Sequence, residues 1–184
     1  MTQPLKSKSK KVCLLGASAV GKTSLVKRFA EGIFDEAYRT TIGVHMYHKF
    51  ITFDEEQVKF IFWDLEGKDD PGSVYSAVYL SGAKGYMLVA DITRPDTLDV
   101  VKGLFSTVKD KPPVVLLLNK QDLLHSSSVT ERAKHSFGNE IRIFKTSAKL
   151  DEGVDQAFIC LVKQMLEVDR PKGPEMNKLQ SEGS

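Results

Sequence analysis

The stretch "GASAVGKT", Gly16 to Thr23, closes on a glycine, a lysine and a threonine after opening on another glycine. It follows a short apolar run, "KVCLLG". It leads into "GKTSLVKRFAEG", where Leu25, Val26 and Phe29 share one helical face and Gly32 stops the pattern. A loop of this kind between a strand and a helix suits phosphate. Glycines leave the backbone free to turn the N–H groups of Ser18, Ala19, Val20, Gly21, Lys22, Thr23 and Ser24 onto phosphate oxygens. The helix N-terminus adds partial positive charge. Lys22 would reach β- and γ-phosphates, and the Thr23 hydroxyl would bind Mg²⁺. A plain glycine-rich turn is the competing reading, but it does not call for the strand before and the helix after.

A phosphate cradle does not choose its base. "NKQD", Asn119 to Asp122, closes the most apolar run in the chain. A carboxylate at Asp122 can accept from both the N1–H and the exocyclic amine of guanine, a pair of donors that adenine lacks. The aliphatic stem of Lys120 can cover the base, and Asn119 can tie this loop to the phosphate loop. "TSAK", Thr146 to Lys149, follows the next strand. There the Ala148 N–H could meet the guanine O6, Lys149 could cover the other face, and Ser147 in the same motif is a further candidate nucleotide contact. Each tetrapeptide alone is an ordinary strand-to-loop transition; in this order, at two successive strand ends, they point to a guanine nucleotide. A third stretch, "WDLEGKDD", Trp63 to Asp70, sets Asp64, Gly67 and Lys68 just past the buried-looking run "VKFIFWD".

These groups need a scaffold that brings strand ends together. The chain has 184 residues, 41% hydrophobic and 27% charged, which fits one globular domain with a full core. A formal charge of +2 gives no footprint for nucleic acid. Cys13 and Cys160, each in an apolar run, read as core thiols of a reducing compartment. "VHMYHKFITF" and "QVKFIFWD" flank "DEE" and read as a hairpin. "KGYMLVADIT" and "PPVVLLLNKQD" read as parallel strands buried on both faces, and "IRIFKTSAK" as a last strand. Helical patterns are expected at about 75–81, 96–109, 129–136 and 151–168, the last with a stripe of Val154, Phe158, Leu161, Val162 and Met165. The pattern is α/β: a mainly parallel sheet with one antiparallel edge hairpin and helices on both faces. Ligands of such sheets bind beyond the carboxyl ends of the strands. Residues 1–9, basic and serine-rich, and 169–184, polar with Pro and Gly, are expected to be disordered flanks of a 10–168 domain.

On "GASAVGKT", "TTIGV", "WDLEG", "NKQD" and "TSAK", the chain from about Lys10 to Val168 resembles the Ras superfamily of small GTPases, and most closely its Rab branch. The resemblance implies a P-loop NTPase fold with a six-stranded sheet and five helices. It implies a monomer that switches between GTP and GDP forms with Mg²⁺ and meets effectors and regulators through its switch regions. It implies that Thr41 in "RTTIGV" binds Mg²⁺ and the γ-phosphate, that Phe34 packs on the guanine and that Tyr38 closes over the phosphates. Asp64 would hold Mg²⁺ through water, and the Gly67 N–H would meet the γ-phosphate. Trp63 and Tyr79 match two of three aromatics on the Rab partner surface, where the third position carries Met46. Plain core packing is the other reading of these rings. No prenylation cysteine stands in "LQSEGS" and the start is not Met-Gly, so no lipid anchor is expected in this chain. A cytoplasmic protein, recruited to membranes through partners if at all, is the matching expectation.

The departure from the family lies in the third motif, where D-T-A-G-Q-E is replaced by D-L-E-G-K-D. The glutamine that orients the attacking water is Lys68, and an ammonium has donors but no acceptor. Glu66 adds a carboxylate near the phosphates. Lys68 has three possible roles: an ion pair with Glu66 or Asp69, a contact to the γ-phosphate, or an internal charge-stabilising finger. The expectation is a Rab-like GTP hydrolase of slow intrinsic rate, with Lys22, Thr41, Gly67 and Lys68 as its catalytic groups. The rival is a GTP-bound interaction module that does not hydrolyse.

Overall fold

The run "VCLLG" is buried on both faces because it forms the centre of the sheet. In the computed structural model, which describes residues 9–32, 43–70, 75–108, 112–123 and 128–169, β1 (Ser9–Gly16) pairs in parallel with two strands. These are β3 (Glu56–Leu65) on one side and β4 (Ala83–Asp91) on the other. β5 (Val114–Asn119) and β6 (Arg142–Lys145) extend the parallel run, and β2 (Val44–Phe53) closes the other edge antiparallel to β3. The order is β2-β3-β1-β4-β5-β6. Burial follows the neighbours. β4 and β5 are buried almost throughout, whereas edge strand β2 largely alternates half-buried with exposed residues. The hairpin turns at Asp54 and Glu55, both at positive φ (48° and 67°), between the paired Phe53 and Glu56.

Helices cover both faces. α1 (Lys22–Glu31) packs with α5 (Val154–Val168). Their contact is aromatic: Phe29 stacks on Phe158 at 4.3 Å between centroids, and both meet the Phe62 ring edgewise. Such pairs add about 0.5–1.5 kcal/mol each beyond the area they bury. α3 (Asp96–Val108) packs with α4 (Ser128–Phe137), joined by an edge-to-face Phe105–Phe137 pair. Gly85 lets α5 seat closely on β4, since a Cβ there would lie 2.7 Å from the Met165 sulfur. The whole expected stripe on α5 is buried.

Three sequence expectations change. The helix expected at about 75–81 is a single turn, α2 (Ala77–Leu80). Ser76 at its start has ψ 135°, which is not helical, because Tyr75 turns inward and is buried. Helix α5 begins at Val154 rather than 151, since Gly153 caps it with φ 69°. Cys160 is half-buried rather than a core thiol, while Cys13 is fully buried and its pKa is pushed by burial to about 12. The flanks 1–8 and 170–184 and the residues Phe34, Tyr38 and Thr41 lie outside the described residues. Among those described, no helix is long and apolar enough to cross a membrane.

Candidate functional site

The strand order places β1 between strands reached by connections on opposite sides, and the carboxyl ends of β1, β3, β4, β5 and β6 share one end of the sheet. The loop Gly16–Thr23 runs across that end from β1 into α1. Two of its glycines are required by contact. A Cβ on Gly16 would lie 2.3 Å from the Val89 carbonyl oxygen, and one on Gly21 2.3 Å from the Asn119 Nδ2. Ala19, at φ 60°, takes the left-handed conformation without being glycine. The Lys22 side chain folds back under the loop, donating to the carbonyls of Gly16 at 3.1 Å and Ala17 at 2.8 Å. The residue is 6% exposed, and burial lowers its pKa to about 8 against the opposing pull of Asp64 and Asp69. A cation this poorly hydrated gains from any anion placed beside it.

The candidate metal corner is built from two elements. The Thr23 hydroxyl, on the first turn of α1, donates to Asp64 Oδ2 at 2.5 Å. Asp64 is fully buried on β3, its pKa raised by burial, and its other oxygen Oδ1 has no hydrogen-bond partner. A buried carboxylate oxygen left unpaired beside a hydroxyl is the donor set of a hard divalent cation. Among the described residues no group of three or more His, Cys, Asp or Glu could hold a metal by itself. A hydroxyl and one carboxylate suit Mg²⁺, which keeps waters and takes substrate phosphates as ligands. Thr23 and Asp64 would hold it there, and it would neutralise charge between phosphates.

Asn119 joins the loop to the other strand ends. Its Nδ2 donates to the Val20 carbonyl at 2.9 Å. Its Oδ1 accepts from the Thr146 hydroxyl at 3.2 Å and the Ala148 N–H at 3.3 Å. Half-buried Asp122 accepts from the Ser147 hydroxyl at 2.6 Å, which leaves its second oxygen for a base. The Ala148 N–H points at Asn119 here, so the expected contact to a guanine O6 would have to compete with this long bond. Arg28 of α1 bonds the carbonyls of Ala148 and Lys149, holding the TSAK loop against the helix.

Several residues at this end carry no motif and were missed in the sequence. Asp91, at the end of β4 and 1% exposed, pairs with Lys120 Nζ at 2.7 Å and Arg94 Nε at 3.4 Å. Burial would raise its pKa, but the bonds from Lys120 and Thr93 outweigh that and hold it low. Arg94 also donates from Nη2 to the Ser18 carbonyl at 2.5 Å. One buried carboxylate therefore links the phosphate loop to the lysine of NKQD. Tyr75, buried beside β1, donates to the Gly16 carbonyl at 3.2 Å and accepts from the Gly16 N–H at 3.4 Å. Asp69 accepts from the Ser18 N–H at 2.7 Å, and the Lys68 N–H donates to the Gly16 carbonyl at 3.2 Å.

The third motif thus lies directly against the phosphate loop, and a Cβ on Gly67 would come within 2.4 Å of Ser18 N and Cα. The ion pair that would make Lys68 structural is not found among the described residues. Asp69 is engaged by Ser18, and Glu66 accepts from the Gly43 N–H at 3.3 Å. Of the three partner-surface positions, Met46 and Tyr79 are exposed, whereas Trp63 packs against the core. Met46 is 65% exposed, Tyr79 39%, and the half-buried Trp63 ring is covered by the Lys11 ammonium at 3.5 Å.

Comparison with known proteins accords with this geometry. Residues 11–167 match the family model described as Ras family. The chain is 35% identical over 166 residues to Ras-related protein RabJ of Dictyostelium discoideum, covering 87% of this chain and 64% of that protein's length. Ras-related protein Rab-32B of the same organism is 35% identical over 185 residues, covering 92% of the chain and 70% of the relative. Ras-related protein Rab-13 of Bos taurus is 33% identical over 162 residues, with 85% and 79% covered.

Proposed function

This chain belongs to the Ras family, on its Rab-like side, and we propose that it is a Mg²⁺-dependent guanine-nucleotide switch with slow intrinsic GTP hydrolysis. The observation that carries the guanine reading is Asn119. One buried side chain bonds the phosphate loop at Val20 and the base-side loop at Thr146 and Ala148, so cradle and base pocket form one unit. Lys22 and the Thr23–Asp64 corner supply the charge and oxygen ligands that phosphates and Mg²⁺ call for. Slow hydrolysis rests on Lys68. Phosphoryl transfer depends on positioning the attacking water and stabilising charge, and an ammonium cannot accept from that water as an amide does.

Effectors and regulators would read the switch through the exposed Met46, Tyr79 and the neighbouring Trp63. The protein is read as monomeric and cytoplasmic, with membrane recruitment through partners. The test is single-turnover phosphate release from GTP-loaded protein, set beside a Rab protein that carries glutamine at this position. A measurable release slower than that reference supports the proposal. Release at the reference rate removes the slow-hydrolysis part, and no release at all makes the protein a non-hydrolysing module.

A further inference from the structure

We infer that Asp69 is a specificity-determining residue of the phosphate site: its carboxylate competes internally for the seat of the terminal phosphate and narrows the preference for GTP over GDP. The inference rests on the guanine-nucleotide reading above. Its first support is that Asp69 reaches the loop on a segment fitted to it. Gly67 approaches Ser18 so closely that a side chain would collide with backbone. Lys68 then donates its N–H to the Gly16 carbonyl, and Asp69 next takes the Ser18 N–H at 2.7 Å. Three consecutive residues are matched to the loop, which no single chance contact would produce.

The second support is the charge around that N–H. Arg94 donates to the carbonyl of the same residue, Ser18, at 2.5 Å. Lys22 Nζ bonds the carbonyls of Gly16 and Ala17, the two residues before Ser18, so Asp69 takes its N–H beside both cations. Lys22 marks the terminal-phosphate side, because the lysine of such a loop reaches the β- and γ-phosphates. The base end is opposite, where Asn119 meets Val20. The Ser18 N–H, beside Arg94 and Lys22, is therefore an anion seat, and the bond from Ser18 holds the Asp69 carboxyl below its ordinary pKa. A phosphate oxygen and an ionised carboxylate cannot share one N–H, and they repel. GDP, lacking the terminal phosphate, leaves the carboxylate in place. Asp69 itself is exposed, so water can receive it when it is displaced, and its bias is moderate.

The experiment is equilibrium titration of the full chain with fluorescent GDP and a fluorescent non-hydrolysable GTP analogue, at fixed Mg²⁺. Wild type, Asp69→Asn and Asp69→Ala are compared. Removing the carboxylate should tighten the GTP analogue roughly tenfold, the scale of one partly exposed charge-assisted contact, and leave GDP within roughly twofold. Asp69→Asn, which keeps an acceptor without the charge, should fall between. Equal shifts for both nucleotides, or an analogue that binds no better, overturn the inference while leaving the switch reading intact. Wild type that binds neither nucleotide overturns the switch reading itself.

Discussion

Asp91→Asn is the sharpest probe of how this site is held together. Asp91 is 1% exposed and faces two cations, Lys120 at 2.7 Å and Arg94 at 3.4 Å, besides the Thr93 N–H and hydroxyl. The amide keeps the volume but removes the charge and turns one acceptor into a donor. Breaking a fully buried pair costs about 3–5 kcal/mol. Here the cation side chains are 31% and 38% exposed and can regain water, so the loss should be nearer ~2 kcal/mol. With a urea slope of about 2 kcal/mol per molar, the unfolding midpoint should fall by about 1 M at pH 7. Circular dichroism in urea, with both proteins carrying the same nucleotide, reads this directly. Linkage fixes the pH course. The folded pKa of Asp91 lies below its unfolded value, so its stabilisation is complete above the unfolded pKa and is lost as pH falls through the folded one. The gap between wild type and variant should therefore hold from neutral to mildly acidic pH and close only below the ordinary aspartate pKa of 3.8. A midpoint that does not move at pH 7, or a gap that widens on acidification, would refute the reasoning.

Asp122→Asn should weaken GTP by about tenfold and shift preference toward xanthine nucleotides, since a polar group mismatched against the base costs ~1–3 kcal/mol. Competitive binding of GTP, XTP and ATP checks it, and ATP binding as tight as GTP in the wild type would contradict the pocket. Chelating Mg²⁺ with EDTA should speed nucleotide dissociation sharply, because the Thr23–Asp64 corner then faces the phosphates without its counter-charge. Dissociation unaltered by excess chelator would remove the metal from the scheme. Lys68→Gln should raise single-turnover hydrolysis, where even a tenfold gain needs only ~1.4 kcal/mol of barrier. A slower variant would instead show that the lysine itself offsets transition-state charge.

How much of this could be read in advance depended on whether a feature is local in the chain. The phosphate loop is contiguous, so its glycines, lysine and threonine declare a strand–loop–helix by spacing alone. The apolar runs of β4 and β5 likewise announce strands buried on both faces. Asp91 and Arg94 gave no such signal. Their types are common, and Arg94 meets its partner at Ser18 across 76 residues of chain. Asp69 was visible only as a possible partner for Lys68. Nothing in "GKDD" says that its carboxylate reaches a backbone N–H of the phosphate loop. The helix at 75–81 was overestimated because Tyr75 fits a helical apolar pattern, whereas its ring is held against Gly16. Cys160 lies in an apolar run, yet it falls at the border of the α5 stripe rather than within it.

The hairpin turn at Asp54 and Glu55 bears on the order in which the chain assembles. Every partner of β1 is distant in sequence: Ser9 pairs with Lys59 and Gly16 with Val89. The central strand must therefore wait until most of two later strands exist, and such long-range parallel pairing is slow. Among the described strands, only β2 and β3 can zip from a local turn, a process of microseconds when the turn is favourable. Here both turn residues take the left-handed conformation without a glycine, where an asparagine–glycine pair would be the easy choice. Left-handed backbone costs such residues ~1–2 kcal/mol each, with aspartate somewhat less penalised. The one fast strand pairing open to a nascent chain, among the described strands, is thus held back by its own corner. The edge strand gains its lasting place only once β1 has docked beside β3.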